Sequence, residues 1–167
     1  MIHIYTGDGK GKTTAAAGLA ARALGHGFSV AFVQLSKKGD SGEVLCLDHF
    51  ENFHLFAGKI TERFVSKMTA EEREKTKMFH MEHFEKAMEL KPFLLVLDEM
   101  GSALKYNVFD RDILIDFLKN PPFECEIVLT GRDFDDEILN IADYVSEIKK
   151  IRHPFDRGIT ARKGIER

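Results

Sequence analysis

One nine-residue stretch near the amino terminus limits what this chain can fold into. Thr6-Gly7-Asp8-Gly9-Lys10-Gly11-Lys12-Thr13-Thr14 lies between a short β-rich run, residues 2–5, and an Ala-rich segment of helical character, residues 13–24. Strand, glycine-rich turn, Lys-Thr and helix in that order make a phosphate loop. Glycines let the backbone curl so that successive N–H groups face an anion, and the helix that follows adds the positive end of its dipole. Gly7, Asp8, Gly9, Lys10, Gly11, Lys12, Thr13 and Thr14 are the candidate phosphate-binding residues. Lys12 supplies a mobile charge, and the Thr13 hydroxyl is the expected Mg²⁺ ligand. The common pattern has Gly where this chain has Thr6, and Gly7 and Gly9 supply the flexibility instead.

Two later segments agree with the loop. Residues 93–97 are apolar throughout and end in Asp98-Glu99, as expected of a buried strand that delivers an acid to the metal or its waters. The pattern assigns Asp98 or Glu99 to Mg²⁺ without choosing between them. Thr130-Gly131-Arg132 follows another apolar run. Strand C-termini line the ligand crevice of an open parallel sheet, so the planar Arg132 guanidinium is expected beside phosphate oxygens.

Strand and helix alternate along the rest of the chain. Strands are expected at 28–35, 53–56, 126–129 and 144–151, and helices at 111–118 and 135–141. A long helix from Thr69 to about residue 91 opens with a Thr69/Glu72 capping box. Its apolar stripe reads Met78, Met81, Phe84, Ala87 and Met88, and its His80 and His83 read as solvated. Residues 37–43 read as a polar loop. Apolar strands separated by helices imply a sheet covered on both faces. The expected fold is an α/β, phosphate-loop NTPase-like three-layer sandwich. Its sheet is mostly parallel, with about six strands, in one nucleotide-binding domain spanning residues 1–167.

Composition excludes several classes. Of 167 residues, 44% are hydrophobic and 31% charged, which suits a globule and argues against disorder. No apolar run reaches the ~18 residues of a membrane helix, and the opening residues read as a strand and not a secretory leader. Cys46 and Cys125 lie far apart without metal spacing and read as buried thiols of a cytoplasmic protein. The net charge of -3 argues against a general nucleic-acid binder, but it is uneven. Residues 149–167 hold seven Lys/Arg against two acids, a net +5, which leaves -8 for the rest. Such a tail suits a solubilising end, a nucleic-acid arm or one wall of an anion site, and its position in the sequence does not choose among them.

Taken together, the segments resemble the ATP:corrinoid adenosyltransferases of the phosphate-loop type. The resemblance rests on Thr-Gly-Asp-Gly-Lys-Gly-Lys-Thr-Thr-Ala-Ala (6–16), Ala-Arg-Ala-Leu-Gly-His-Gly (21–27), Val-Gln-Leu-Ser-Lys-Lys-Gly (33–39) and Val-Leu-Asp-Glu (96–99). It continues through Ile-Val-Leu-Thr-Gly-Arg (127–132), Ala-Asp-Tyr-Val-Ser-Glu (142–147) and His-Pro-Phe-Asp-Arg-Gly-Ile-Thr-Ala-Arg-Lys-Gly-Ile-Glu (153–166). It implies transfer of the 5′-deoxyadenosyl group of MgATP to Co(I) of a corrinoid, with release of triphosphate, in cobalamin biosynthesis or salvage. Lys10, Lys12 and Arg132 are then the expected catalytic charges. It further implies a cytoplasmic homodimer supplied by a flavoprotein reductant. Similar proteins carry a Gly-Phe-Thr-Trp type segment against the corrinoid, where this chain has residues 57–64 and no Trp; Phe56 and Phe64 are the expected substitutes. Two other readings suit the same loop: a phosphotransferase or ATPase, and a non-enzymatic nucleotide-gated binding module.

Overall fold

The computed structural model describes residues 1–165; Glu166 and Arg167, the last acid and last base of the basic tail, lie outside them. In chain order the elements are β1 (Ile2–Thr6), α1 (Lys12–Gly25), β2 (Val30–Gln34), α2 (Gly42–Leu47), β3 (Phe53–Ala57) and α3 (Ala70–Glu89). They continue with β4 (Leu94–Asp98), α4 (Met100–Lys105), α5 (Arg111–Lys119), β5 (Glu126–Thr130), α6 (Asp136–Ile141) and β6 (Tyr144–Glu147). The six strands form one sheet in the order β3-β2-β4-β5-β1-β6. Every pairing is parallel, not merely most of them.

The unbroken apolar strands follow from a sheet with two covered faces. Side chains alternate across a strand, so Val30 and Phe32 of β2 join Leu94 and Val96 of β4 on one face, under α1 and α2. Their neighbours Ala31, Val33, Leu95 and Leu97 point the other way, into the layer built by α3, α4, α5 and α6. Alanines at 16, 17, 20 and 23 are the buried face of α1 and let it lie close to the sheet. Phe32 is fully buried, a burial worth ~1.5–3 kcal/mol. β6 is a short edge strand, exposed along its length.

Several sequence expectations are corrected. α2 begins inside the segment read as a polar loop, and α4 follows β4 directly; at six residues each, neither shows a helical period. β6 ends at Glu147, well before residue 151. The buried line of α3 runs Thr76, His80, Phe84, Ala87, whereas Met78 is 66% exposed. His80 is therefore a core residue and not a solvated one. Two hydrogen bonds make that burial tolerable: Nδ1–H donates to the Val108 carbonyl at 2.8 Å, and Nε2 accepts from the Ser36 N–H at 3.0 Å. Cys125 is buried as expected, but Cys46 is exposed on α2.

Candidate active site

The phosphate loop sits where β1 hands over to α1, beside the C-terminal ends of β5 and β4. Gly7 takes φ 101° and Gly11 φ 113°, a region that glycine enters freely. Gly11 is the N-cap of α1 and no side chain caps the helix, so its first-turn N–H groups are offered to a ligand. Residues 8–14 line a cavity of about 890 Å³, together with Lys37, Glu99, Arg132 and parts of the tail from His153 to Ile165. That volume suits a nucleotide-sized ligand.

Not every loop group faces the cavity in the way the motif suggests. The Gly9 N–H donates to the Ile148 carbonyl at 2.7 Å. Asp8 accepts from the Lys150 N–H at 2.9 Å, a bond that lowers its carboxyl pKa. A Cβ on Gly7 or Gly9 would collide with the Ile148 backbone, so the segment after β6 is pressed against the loop. The Thr14 hydroxyl donates to Glu43 of α2 at 2.9 Å. Lys12 Nζ donates to the Gly7 and Gly9 carbonyls at 2.7 and 2.8 Å. Burial and the nearby Arg132 charge both lower its pKa. Lys10 is exposed at the rim.

Asp98 and Glu99 differ sharply. Asp98, fully buried at the end of β4, accepts four hydrogen bonds. Oδ1 receives the hydroxyls of Thr13 (2.8 Å) and Thr130 (2.7 Å); Oδ2 receives Gln34 Nε2 (3.1 Å) and Lys37 Nζ (2.7 Å). Glu99 has φ 66° at the N-cap position of α4, where its side chain makes no capping bond; this left-handed conformation costs a non-glycine residue about 1–3 kcal/mol. Its N–H is held by the Thr130 hydroxyl at 3.0 Å, and its carboxylate meets Lys37 at 3.2 Å. Burial disfavours the Lys37 ammonium, but Asp98 and Glu99 outweigh it and raise the pKa.

Sequence reasoning missed Gln34, Lys37 and Thr130 as site residues. One signal was available: Gln34, Asp98 and Thr130 are each the polar last residue of a strand, directly after an apolar run. The sheet register sets Gln34 beside Asp98. Arg132 lines the same cavity, with Nη2 donating to the Asp8 carbonyl at 3.3 Å. Gly101 of α4 explains its placement, since a Cβ there would overlap the Arg132 backbone.

This loop, acid and arginine on a parallel sheet are shared by many nucleotide-binding proteins. A family model for ATP:corrinoid adenosyltransferases BtuR/CobO/CobP, however, matches residues 1–167, the whole chain. The chain belongs to this family. It is 35% identical to the "Corrinoid adenosyltransferase CobA" of Salmonella typhimurium over 170 residues, which cover 99% of this chain and 85% of that protein. Corrinoid adenosyltransferases of Sinorhizobium and of Escherichia coli K12 are 34% and 33% identical, each over 99% of this chain and over 79% and 85% of their own lengths. The two aromatics expected on the corrinoid side of this adenosyltransferase diverge. Phe56 is partly buried and packs against the core, 6.1 Å from the His83 ring, whereas Phe64 is 75% exposed. Neither lines the phosphate cavity. Among the described residues, no helix is long and apolar enough to cross a membrane.

Proposed function

We propose that residues 1–167 act as one phosphate-loop domain that transfers the 5′-deoxyadenosyl group of ATP to Co(I) of a corrinoid, releasing triphosphate. The observation that carries this reading is the uncapped start of α1 facing a cavity shared by Lys10, Lys12, Lys37 and Arg132, in a chain of the adenosyltransferase family. In the reaction the electron pair of Co(I) attacks C5′, the C5′–O bond breaks, and the triphosphate departs with its electrons. The nucleophile belongs to the substrate, so the protein's part is positioning and stabilisation of the leaving charge. The first-turn N–H groups of α1 hold phosphate oxygens. Lys12 turns from the Gly7 and Gly9 carbonyls onto the polyphosphate, with Lys10 and Arg132 at the rim.

A divalent cation fits the residues present. The Thr13 hydroxyl and the Asp98 and Glu99 carboxylates are hard oxygen donors of the kind Mg²⁺ takes, alongside phosphate and water. The buried Gln34 Oε1, on the side chain that contacts Asp98, has no protein partner; a metal-bound water would satisfy such an atom. When bound, Mg²⁺ supplies neutralisation of polyphosphate charge.

Phe64, whose exposed ring can cover an apolar face, and Phe56, which packs against the core, serve the corrinoid side. Cytoplasmic placement, a homodimer and a flavoprotein reductant complete the proposal; the last would supply the electron that generates Co(I). The test is a titration with ATP and a chemically reduced corrinoid, following the cobalt–carbon absorption and the phosphate product. New cobalt–carbon absorption with equimolar triphosphate is expected. ADP formed from ATP, with phosphorylation of a small hydroxyl acceptor, would overturn the reading in favour of a phosphotransferase. Steeply salt-dependent nucleic-acid binding, lost on deleting residues 149–167, would favour a binding module.

A further inference from the structure

The ammonium of Lys37 lies where three oxygens converge: Asp98 Oδ2 at 2.7 Å, Thr13 Oγ1 at 3.0 Å and Glu99 Oε1 at 3.2 Å. An ammonium has three protons, and these three acceptors use them all. The same three residues supply the oxygens assigned above to a divalent cation. Two positive charges cannot occupy one such site together without strong repulsion, so Lys37 and the metal exclude each other there.

Lys37 has both an anchor and an exit. Its root is fixed by Ser36, which takes φ 57° and whose N–H is held by His80. Its side chain is 32% exposed and lines the phosphate cavity. A flexible four-carbon stem lets the charge move while the backbone stays in place.

We propose that Lys37 is a tethered counter-cation. It holds the Thr13, Asp98 and Glu99 oxygens together in the nucleotide-free protein, yields the position to the divalent cation that arrives with the nucleotide, and moves onto a phosphate. This rests on reading the site as a metal–nucleotide site. It adds that the protein excludes metal alone and admits it with nucleotide, because only the nucleotide offers Lys37 another anion.

The test uses Mn²⁺ as the probe, with free Mn²⁺ followed by electron paramagnetic resonance on the intact chain. Wild type is expected to bind Mn²⁺ weakly alone and well with ATP. Lys37→Met is expected to bind Mn²⁺ without nucleotide at least ~10-fold more tightly than wild type, because the competing charge is gone. It is also expected to melt lower in EDTA and to recover with Mn²⁺, a response wild type lacks. Equal Mn²⁺ affinity of the two proteins without nucleotide would overturn the exchange while leaving the MgATP reading intact. Failure of wild type to bind Mn²⁺ even with ATP would overturn both. Should Lys37→Met fail to fold, amine acylation of wild type decides, mapped by peptide mass spectrometry. Millimolar Mn²⁺ without nucleotide is expected to leave modification of Lys37 at its EDTA level, whereas Mn²⁺ with ATP is expected to change it several-fold and to leave Lys38, paired with Glu62, unchanged. A rate at Lys37 altered by Mn²⁺ alone, or unaltered by Mn²⁺ with ATP, overturns the proposal.

Discussion

Lys12 keeps a charge that its surroundings oppose, since burial and Arg132 both lower its pKa. Lys12→Ala should therefore leave the melting temperature near that of wild type while reducing triphosphate release on the order of 100-fold or more, read by single-turnover kinetics. The protonated form binds phosphate, so kcat/KM should fall with rising pH earlier than an ordinary lysine would allow. His80 has the opposite consequence. Burial, aided by His83 and only partly offset by the bond to Val108, lowers its pKa to about 4. A folded-state value below the unfolded one means that its contribution is present above pH ~6.5 and is lost as pH falls through about 4. The loss should be on the order of 3 kcal/mol. Denaturant unfolding of wild type and His80→Gln at pH 7 and pH 4 measures it: the variant should be weaker at pH 7, and the gap should close at pH 4. The phosphate loop was legible because its chemistry is local to nine consecutive residues. Lys37 and His80 were not, because their partners, Asp98 and Val108, lie far along the chain.

At the scale of elements, the sheet delivers its chemistry through irregular exits. Within two residues of their ends, β1, β2 and β4 pass through Gly7, Ser36 and Glu99, all at positive φ. Each exit turns the chain sharply, so polar groups at adjacent strand ends converge instead of continuing along the strands. α4 shows the constraint from the other side, with Gly101 touching the backbone of Arg132. Gly101→Ala should destabilise by roughly 1–3 kcal/mol, as overpacking does, and should weaken ATP binding because Arg132 moves. Gly18 is the control: it lies exposed within α1 with open space around it, so Gly18→Ala should stabilise by ~0.5–1 kcal/mol without changing turnover. Paired thermal melts and ATP titrations check both. Elements of several turns, such as α1 and α3, were legible from periodicity and caps. α2 and α4 were not: six residues hold less than two turns, and neither has the side-chain cap that Asp135 gives the equally short α6; their positions follow from what they dock against, as Thr14 meets Glu43 of α2 and Arg132 meets Gly101 of α4.

Across the whole molecule, the uneven charge seen in sequence becomes geometric. Part of the basic tail returns to the phosphate cavity, where Lys163 joins Lys10, Lys12, Lys37 and Arg132. The bonds from Gly9 to Ile148 and from Lys150 to Asp8 connect that tail to the loop. Amide hydrogen exchange should therefore slow together at Gly9 and residues 148–150 when ATP is added; protection of the loop alone would show the two to be uncoupled. The order of the strands also bears on how the protein is made. β1 lies between β5 and β6, so the strand that leads into the phosphate loop leaves the ribosome with neither neighbour yet synthesised. Cooperative closure of the sheet therefore waits on residues 126–147. A pause in translation after β4 but before that point holds a half-built sheet with the apolar edge of β4 open, which makes the late part of synthesis the interval in which a chaperone has most to protect.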